Sequence, residues 1–197
     1  MQKILLLDAH VLSKEISISH KILNLVQEQY QKDPNNQITR IDLNDTVLSK
    51  VFMTSQNMST YWQDVESDKW IELVKNTDIL VISNPMINFS APVIVKNFVD
   101  SISVANKTFS YKYSNKGDAI GLLTNLKKVI IVSTQGAPEG WYPWGTHAAW
   151  LEGTFKFLGT QEVQHIKWYG TKVKPTSEIK LDQLQDYLEE QIKTAIK

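Results

Sequence analysis

The segment DILVISNPMINFSAPVIVKNFVDSI, residues 78–102, indicates a buried strand, a loop and a helix in direct succession. Residues 79–82 form an uninterrupted apolar run rich in β-branched side chains, which is typical of a strand buried on both faces of a parallel sheet. Pro92 then opens a helix, whose apolar face is expected to consist of Val93, Ile94, Phe98, Val99 and Ile102. The intervening loop is therefore expected at the carboxyl end of a central strand, where open α/β sheets bind ligands.

The rest of the chain alternates strands and helices in the same way. Further strands are expected at residues 3–8, 37–43, 128–133 and 162–168. Helices are expected from Ile22 to Tyr30, after a cap at Ser67-Asp68, at residues 147–158 and at residues 181–196. An irregular excursion outside the core is expected at residues 44–64, and an exposed hairpin arm at residues 108–113 with a turn at 115–118. This alternation predicts one α/β domain over residues 1–197, with a doubly wound parallel sheet and helices on both faces.

The composition of the chain narrows the functional classes. Lys plus Arg total 21 and Asp plus Glu total 21, so the formal net charge is zero and no global field would attract nucleic acid. The chain contains no cysteine, so it has no disulfide or thiolate metal site, and a cytoplasmic location is expected. No window approaches the roughly 20 apolar residues of a membrane span, and no membrane association is expected.

The residues before the first long helix form a candidate phosphate site. Ser17, Ile18 and Ser19 lie where free N–H groups and the positive end of a helix dipole favour a phosphate, and small hydroxyls can complete its shell. Arg40 is the only arginine, which nearly excludes a bidentate guanidinium clamp. The two serines also fit an ordinary helix N-cap, so the residues alone leave both interpretations open.

Other chemistries find little support in the sequence. The GxGxxG, GxxxxGK and GxSxG motifs are absent, which argues against a Rossmann fingerprint, a Walker loop and an α/β-hydrolase. The histidines show no metal-ligand spacing and are expected to be surface or hydrogen-bonded residues; they are His10, His20, His147 and His165. The tryptophans near the fourth strand and its loop are expected in the core or at an interface; they are Trp141, Trp144, Trp150 and Trp168.

The opening segment also resembles a known family. The run Asn84-Pro85-Met86-Ile87-Asn88-Phe89, with the later residues Pro92, Lys96, Phe98, Asp100 and 108–111, is similar to the flavin-binding segment of the FMN-dependent NADH-azoreductases. These enzymes belong to the flavodoxin-like quinone reductases. The resemblance covers most of the chain and implies a flavodoxin-like sheet of five parallel strands in the order 2-1-3-4-5, with one non-covalent FMN per subunit.

The resemblance also implies which residues bind the cofactor. The loop Pro85, Met86, Ile87, Asn88 and Phe89 would run along the isoalloxazine ring, with its backbone bonding to the polar edge. Ser17, Ile18 and Ser19 would hold the phosphate, and Ser133, Thr134, Gln135 and Gly136 would lie beside the pyrimidine edge. The chain departs from the family pattern at Ile87, where an aromatic residue is usual, at Ala137, where a second glycine is usual, and at Ala9 or His10, where a serine is frequent.

The implied function is an oxidoreductase in which NADH reduces bound FMN and then leaves. A quinone or an aromatic azo compound then takes its place over the same ring face, and the flavin carries the chemistry without an obligatory side-chain acid or base. The family resemblance implies a homodimer whose partner subunit covers the flavin. The alternatives are a non-catalytic, flavodoxin-like FMN electron carrier, which is usually strongly acidic, and a flavin-free interaction domain.

Overall fold

A five-stranded parallel sheet forms the centre of the protein. The structure is a computed structural model that describes residues 1–112 and 118–197. The strands are β1 (Lys3–Asp8), β2 (Gln37–Asp42), β3 (Ile79–Pro85), β4 (Lys128–Gln135) and β5 (Glu162–Tyr169). Their order in the sheet is β2-β1-β3-β4-β5, which confirms the flavodoxin-like order that the resemblance implied.

The register of the sheet aligns the carboxyl ends of the inner strands. Leu7 of β1 lies opposite Ile82, and Pro85 of β3 lies opposite Thr134 of β4. Every residue of β3 and β4 is buried, as a strand covered on both faces requires. Both strands run further than expected because their ladder continues through polar residues, so Ser133, Thr134 and Gln135 are strand residues rather than loop residues.

Helices cover both faces of the sheet. They are α1 (Ile18–Gln31), α2 (Tyr61–Asp64), α3 (Ser67–Lys75), α4 (Val93–Ile102), α5 (His147–Leu158) and α6 (Leu184–Ile196). The core on one face joins α3, α4 and α5 to the sheet, and the core on the other face joins α1 and α6. The expected doubly wound architecture is thereby confirmed. Among the helices of the described residues, none is long and apolar enough to cross a bilayer.

Residues 44–64 are irregular as expected, but the segment contributes side chains to the core, so its assignment as a purely external excursion is wrong. Leu48 and Tyr61 are completely buried. The Tyr61 hydroxyl donates to Oδ1 of Asn97 in α4 at 2.6 Å, and Nδ2 of Asn97 donates to the Leu48 and Val51 carbonyl oxygens, each at 2.7 Å. One buried asparagine therefore ties this irregular segment to α4.

Two details of the expected helices also differ from the structure. Ser67 does not cap α3: it is the first residue of the helix, and its hydroxyl donates to the Ser101 carbonyl oxygen at 2.5 Å. The preceding residue, Glu66, has a left-handed backbone and makes no side-chain capping bond. Val93 does not belong to the buried face of α4, because it lies in the first turn and is 66% exposed.

The expected hairpin is a short antiparallel ribbon, Phe109–Ser110 with Ile120–Gly121. Thr108 and Ser110 are buried, so the arm is less exposed than expected, and most of the turn expected at 115–118 lies outside the described residues. A β-carbon placed on Gly121 would lie 2.2 Å from the backbone nitrogen of Gly159, which itself has a φ of +111°. The ribbon and the end of α5 are therefore in direct backbone contact, with no side chain between them.

Candidate functional site

The loops that follow β1, β3 and β4 meet at the carboxyl edge of the sheet. The Ala9 N–H, just after β1, donates to Oγ of Ser83 in β3 at 2.7 Å. The Met86 N–H, just after β3, donates to the Thr134 carbonyl oxygen in β4 at 2.7 Å. These bonds fix the starting points of the three loops relative to one another.

A tight turn closes the loop after β3. Ile87 and Ser90 exchange N–H···O bonds of 2.9 and 3.1 Å around Asn88 and Phe89. The φ angles of the central residues are 45° at Asn88 and 74° at Phe89, which is the pattern of a type I′ turn. Within the parts of the chain that the structure describes, the N–H groups of Asn88 and Phe89 have no hydrogen-bond partner. The turn therefore offers adjacent backbone donors at the end of the central strand.

A cavity of about 420 Å³ opens beside this turn. It lies between the loops that follow β3 and β4 and the segment that follows β5. Its lining residues are Met86, Asn88, Phe89, Gly136, Ala137, Trp141, Tyr142, Lys172 and Val173. Four of the residues expected at the ring of a flavin, Met86, Asn88, Phe89 and Gly136, thus share one cavity, which we call the turn cavity.

Aromatic side chains form one wall of the turn cavity. The rings of Phe89 and Tyr142 meet edge to face with centroids 4.9 Å apart, and Trp144 lies 5.9 Å from Phe89. Trp141 and Trp144 are 58% and 67% exposed, so neither lies in the core, and an interface stays the expected position for both. Trp168, by contrast, is buried as expected.

The candidate phosphate residues lie at the start of α1. Ser17 is the N-cap, and its hydroxyl accepts a bond of 3.3 Å from the His20 N–H. Ser19 lies inside the first turn rather than ahead of the helix, with its Oγ 3.3 Å from that of Ser17. Both serines are buried, and among the described atoms the N–H groups of Ile18 and Ser19 have no acceptor. Capping by Ser17 therefore leaves backbone donors and a second hydroxyl for an anion.

The remaining residues expected at the cofactor do not line the turn cavity. Pro85 is the buried last residue of β3, and Ile87 is 42% exposed at the base of the turn. Ser133 and Thr134 are buried in β4. Gln135 lines a different cavity, and its Nε2 donates to the Ala137 and Pro138 carbonyl oxygens at 3.0 and 3.1 Å.

A polar network behind the start of α1 was not expected from the sequence. Oδ2 of the buried Asp8 accepts bonds from His20 Nδ1 at 2.6 Å and from Arg40 Nη2 at 2.7 Å. Nη1 of Arg40 donates to Asn24 Oδ1 at 2.6 Å and to Gln27 Oε1 at 2.9 Å. The only arginine is therefore bonded within the protein through both of its terminal nitrogens.

His10, which stands near the position of a frequent family serine, cannot donate directly to a phosphate. Its Nδ1 lies 2.6 Å from the Leu12 carbonyl oxygen and its Nε2 lies 3.0 Å from Oδ2 of Asp42. Both partners only accept, an arrangement that favours the doubly protonated ring. Burial lowers the pKa of His10, but the bonds to Asp42 and Leu12 outweigh burial and raise it above its ordinary value.

Ligand atoms of Asp8, His10 and His20 all lie within 4.8 Å of one another, a spacing that could suit a metal ion. The guanidinium of Arg40 already bonds the same carboxylate oxygen of Asp8 that His20 contacts. A further cation at this oxygen would meet the positive charge of Arg40, so we assign the cluster to structural support of the loop rather than to metal binding.

A second cavity, of about 350 Å³, lies under the loop that joins β4 to α5. Its lining includes the ionisable residues His147, Glu152, His165, Lys167 and Tyr169. His147 Nε2 and His165 Nδ1 are buried without a hydrogen-bond partner, so the expectation of fully hydrogen-bonded histidines is wrong here. Burial lowers the pKa of His147 to about 4, which keeps this ring neutral at pH 7.

The parallel sheet, its order and the polar carboxyl edge define a flavodoxin-like protein. A family model described as flavodoxin-like fold matches residues 2–192. The chain is 49% identical over 174 residues to the FMN-dependent NADH:quinone oxidoreductase of Mycoplasmopsis synoviae (strain 53), covering 88% of this chain and 87% of the relative. It is 43% identical over 197 residues to the FMN-dependent NADH:quinone oxidoreductase of Mycoplasma mycoides subsp. mycoides SC, covering 99% and 98%. The chain belongs to the flavodoxin-like fold family, among the FMN-dependent NADH:quinone oxidoreductases.

A solved structure has the same fold over nearly the whole chain. It is an FMN-dependent NADH-azoreductase from Bacillus anthracis str. Ames Ancestor in complex with FMN, with a TM-score of 0.81 at 24% identity. The match covers 98% of this chain and 97% of that one. The resemblance noted in the sequence is thus confirmed at the level of family and fold.

Sequence reasoning missed the side of the turn cavity that follows β5. Lys172 and Val173 line it, and no motif or spacing marks them. The sheet order could have pointed to them, because β5 lies beside β4 and the carboxyl ends of neighbouring parallel strands share one edge. Trp141 and Tyr142 were visible only as part of an aromatic-rich loop.

Proposed function

We propose that the protein is an FMN-dependent oxidoreductase that oxidises NADH and reduces quinones, and that it also cleaves aromatic azo compounds reductively to amines. The observation that carries the proposal is the turn cavity, which joins Asn88 and Phe89 to Gly136 at the carboxyl edge of the sheet. Relatives that align over most of the chain are named for FMN, NADH and quinone, which supports the same activity.

The residues at this edge fit FMN. A phosphate needs several donors, and the Ile18 and Ser19 N–H groups with the Ser19 hydroxyl supply them at the positive end of α1. A planar ring with a polar edge needs donors in a row, and the turn offers the N–H groups of Asn88 and Phe89. These donors have no other partner among the described residues, so binding would satisfy them.

We assign the cofactor contacts by segment. Ser17, Ile18 and Ser19 would hold the phosphate, with Ser17 acting mainly as the helix cap. The segment from Pro85 to Phe89 would run along the ring and bond its polar edge through backbone, and Gly136 would lie beside the pyrimidine. Ser133, Thr134 and Gln135 would act indirectly. They form the end of β4 and fix the start of the loop that contains Gly136.

When bound, FMN would supply the redox chemistry by taking a hydride equivalent from NADH and passing the electrons to the acceptor. The protein would bind NADH and the acceptor in turn at one exposed face, so the reaction would be ping-pong. Phe89 and Tyr142 would shield that face from water, and backbone donors would stabilise negative charge at the ring edge. We expect no obligatory side-chain acid or base.

We also propose a cytoplasmic homodimer. The exposed rings of Phe89 and Trp141 line the turn cavity and that of Trp144 lies beside Phe89, so a second copy of the chain covering them would enclose a ligand there. The cysteine-free composition suits a reducing compartment. Light scattering on the purified protein tests the dimer, because a monomer at micromolar concentration would contradict it.

Flavin binding and NADH oxidation test the enzyme directly. The purified protein should bind one FMN per subunit, quench flavin fluorescence, and consume NADH in the presence of a small quinone. A preparation that stays colourless after incubation with FMN would overturn the proposal. Binding of FMN without NADH oxidation by any quinone would instead favour an electron carrier.

A further inference from the structure

Helix α5 begins at the second cavity without a cap. Its N-cap residue, Thr146, makes no side-chain capping bond. Among the described residues, the N–H groups of His147, Ala148 and Ala149 have no acceptor, and all three residues line the cavity. The helix is 12 residues long, so its aligned peptide dipoles make this end positive. Free backbone donors at the positive end of a helix favour an anion.

The side chain of His147 is a second and independent indication of a ligand. His147 is 3% exposed, and its Nε2 is buried without a hydrogen-bond partner among the described atoms. Its ring lies 6.2 Å from the ring of Tyr169, which lines the same cavity. Buried polar atoms in proteins almost always have a partner, and an imidazole nitrogen that carries a proton can donate to an oxyanion. A ligand in the second cavity would supply the missing acceptor.

The carboxylates that line the second cavity are already paired with cations or histidine. Glu139 accepts a bond from Nζ of Lys167 at 2.6 Å. Glu152 contacts Nε2 of His165 at 2.8 Å and also pairs with Lys156. Glu139 and Glu152 are the only carboxylates among the described lining residues. An anion at the start of α5 would therefore meet no uncompensated negative charge.

The second cavity is separate from the residues assigned to FMN. Of those residues only Gln135 lines it, and the Gln135 side chain is bonded to the carbonyl oxygens of Ala137 and Pro138. Tyr142 lines both cavities, so the loop between β4 and α5 forms a wall between them. The start of α1, where the FMN phosphate is assigned, belongs to the other face of the sheet from α5. The two helix N-termini are therefore different sites.

We propose that the second cavity is an oxyanion site that binds a phosphate group at the N-terminus of α5. Ala148 and Ala149 donate their N–H groups to it, and His147 donates from Nε2. The volume of about 350 Å³ admits free phosphate as well as the phosphate end of a nucleotide. This inference goes beyond the proposed oxidoreductase function and does not depend on it.

Amide NMR locates the site directly. Sodium sulfate is titrated into the protein at constant ionic strength, with and without saturating FMN, and sulfate is the probe because its charge does not change near neutral pH. We expect saturable shifts of the Ala148 and Ala149 amide signals under both conditions. Saturating FMN should suppress sulfate-induced shifts only at Ile18 and Ser19, where the FMN phosphate is assigned.

A charge placed at the N-cap of α5 tests the role of the helix end. Thr146→Asp puts a carboxylate beside the free N–H groups, so it should weaken sulfate at least about tenfold. The midpoint of thermal unfolding should not fall, because the same carboxylate interacts favourably with the positive end of the helix. Thr146→Asn has the same shape without the charge and should weaken sulfate less. Gln183→Asp adds the same charge at the N-cap of α6 and should leave sulfate binding unchanged.

A substitution at His147 tests the side-chain donor. His147→Leu removes the imidazole and should weaken sulfate about two- to tenfold, as the loss of one hydrogen bond does. Urea unfolding shows whether this variant is folded. Thr146→Asp tests the same site independently if it is not, because Thr146 is exposed and makes no capping bond.

Two further ligands identify the source of the phosphate group. If adenosine diphosphate shifts the Ala148 and Ala149 signals at lower concentrations than inorganic phosphate, the site takes the phosphate of a nucleotide. If inorganic phosphate acts alone, the site takes the free ion. Both results support an oxyanion site.

Three results would overturn the inference. They are shifts at Ala148 and Ala149 that never saturate, sulfate binding that is the same in Thr146→Asp as in the parent, and loss of these shifts when FMN is added. Failure of the proposed function looks different. In that case FMN would not change the Ile18 and Ser19 signals, while sulfate would still bind at the start of α5.

Discussion

Asn88 and Phe89 are consecutive residues whose φ angles are both positive, 45° and 74°, and neither is glycine. A left-handed conformation costs a non-glycine residue about 1–2 kcal/mol, and a phenylalanine at the second position of a type I′ turn is unusual because glycine is preferred there. The surrounding contacts hold it in place: the Phe89 carbonyl oxygen lies 3.3 Å from where a β-carbon of Gly145 would be. Such strain at a cavity wall is typical of binding sites.

Substitutions at Asn88 test whether the turn binds FMN. Proline fixes φ near about −65° and removes the N–H, so Asn88→Pro should destroy the turn and weaken FMN roughly ten- to a hundredfold. Asn88→Gly and Asn88→Ala keep the N–H and should retain much of the affinity. Fluorescence titration of the three variants measures this. If Asn88→Pro bound FMN like the parent, the turn would not be part of the flavin site.

Two substitutions at Phe89 separate the ring from the backbone strain. Phe89→Ala and Phe89→Gly both remove the aromatic wall, so both should slow turnover with bulky aromatic acceptors while leaving FMN affinity largely intact. Only glycine relieves the left-handed strain, so Phe89→Gly should be more stable than Phe89→Ala by about 1 kcal/mol in urea unfolding. Equal stability of the two variants would show that the turn stores no strain.

If the serines at the start of α1 bind the phosphate, their substitution should affect the affinity for FMN and for riboflavin differently. Ser19→Ala removes a hydroxyl without removing the helix cap, so it should weaken FMN more than riboflavin, which lacks the phosphate. Ser17→Ala removes the cap as well and should lower the free energy of unfolding by about 0.5–2 kcal/mol. Titration with both flavins, alongside urea unfolding, distinguishes these effects. Equal losses for FMN and riboflavin in Ser19→Ala would place the phosphate elsewhere.

His147 predicts a loss of stability in mild acid. Burial lowers the pKa of His147 from 6.5 to about 4, so between these values the unfolded chain binds a proton that the folded chain does not. Stability therefore falls as the pH falls from 6.5 towards 4, by up to about 3 kcal/mol from this residue. Urea unfolding at pH 7.5 and pH 5 measures it, and His147→Gln should flatten the pH dependence.

His10 supplies the control for this prediction. Because the bonds to Asp42 and Leu12 raise the pKa of His10, its contribution is present below about pH 6.5 and is lost as the pH rises through the folded value. His10→Gln should therefore steepen the loss of stability in acid rather than flatten it. A pH profile unchanged in His147→Gln would mean that the ring of His147 is solvated in the folded protein.

The sequence was most informative where one periodicity dominated. The apolar run of β3 and the span of α5 could be predicted from local pattern, because each buries a face that the pattern itself displays. The position of residues 44–64 could not, since it depends on Asn97, which lies 49 residues after Leu48 and 46 after Val51. Contacts at such separation leave no local periodicity.

Some residues of the candidate site could likewise be predicted from the sequence, and others could not. The turn residues Asn88 and Phe89 could be singled out because they directly follow a recognisable strand and match a family segment. Lys172 could not, because its place beside Gly136 is set by the pairing of β4 with β5 and not by anything in its neighbours. The unpartnered Nε2 of His147 could not be predicted from the sequence either, since burial of a single polar atom is a property of the folded chain.

The backbone contact between Gly121 and Gly159 restricts how this protein can diverge. Neither residue can acquire even a methyl group without forcing the ribbon away from the end of α5, and Gly159 also has a left-handed backbone. The nearby Leu123 N–H donates to the Leu158 carbonyl oxygen at 2.8 Å, so any such separation would break a main-chain bond as well. Natural variation at these two positions is therefore expected to be almost absent, even though neither belongs to the candidate site.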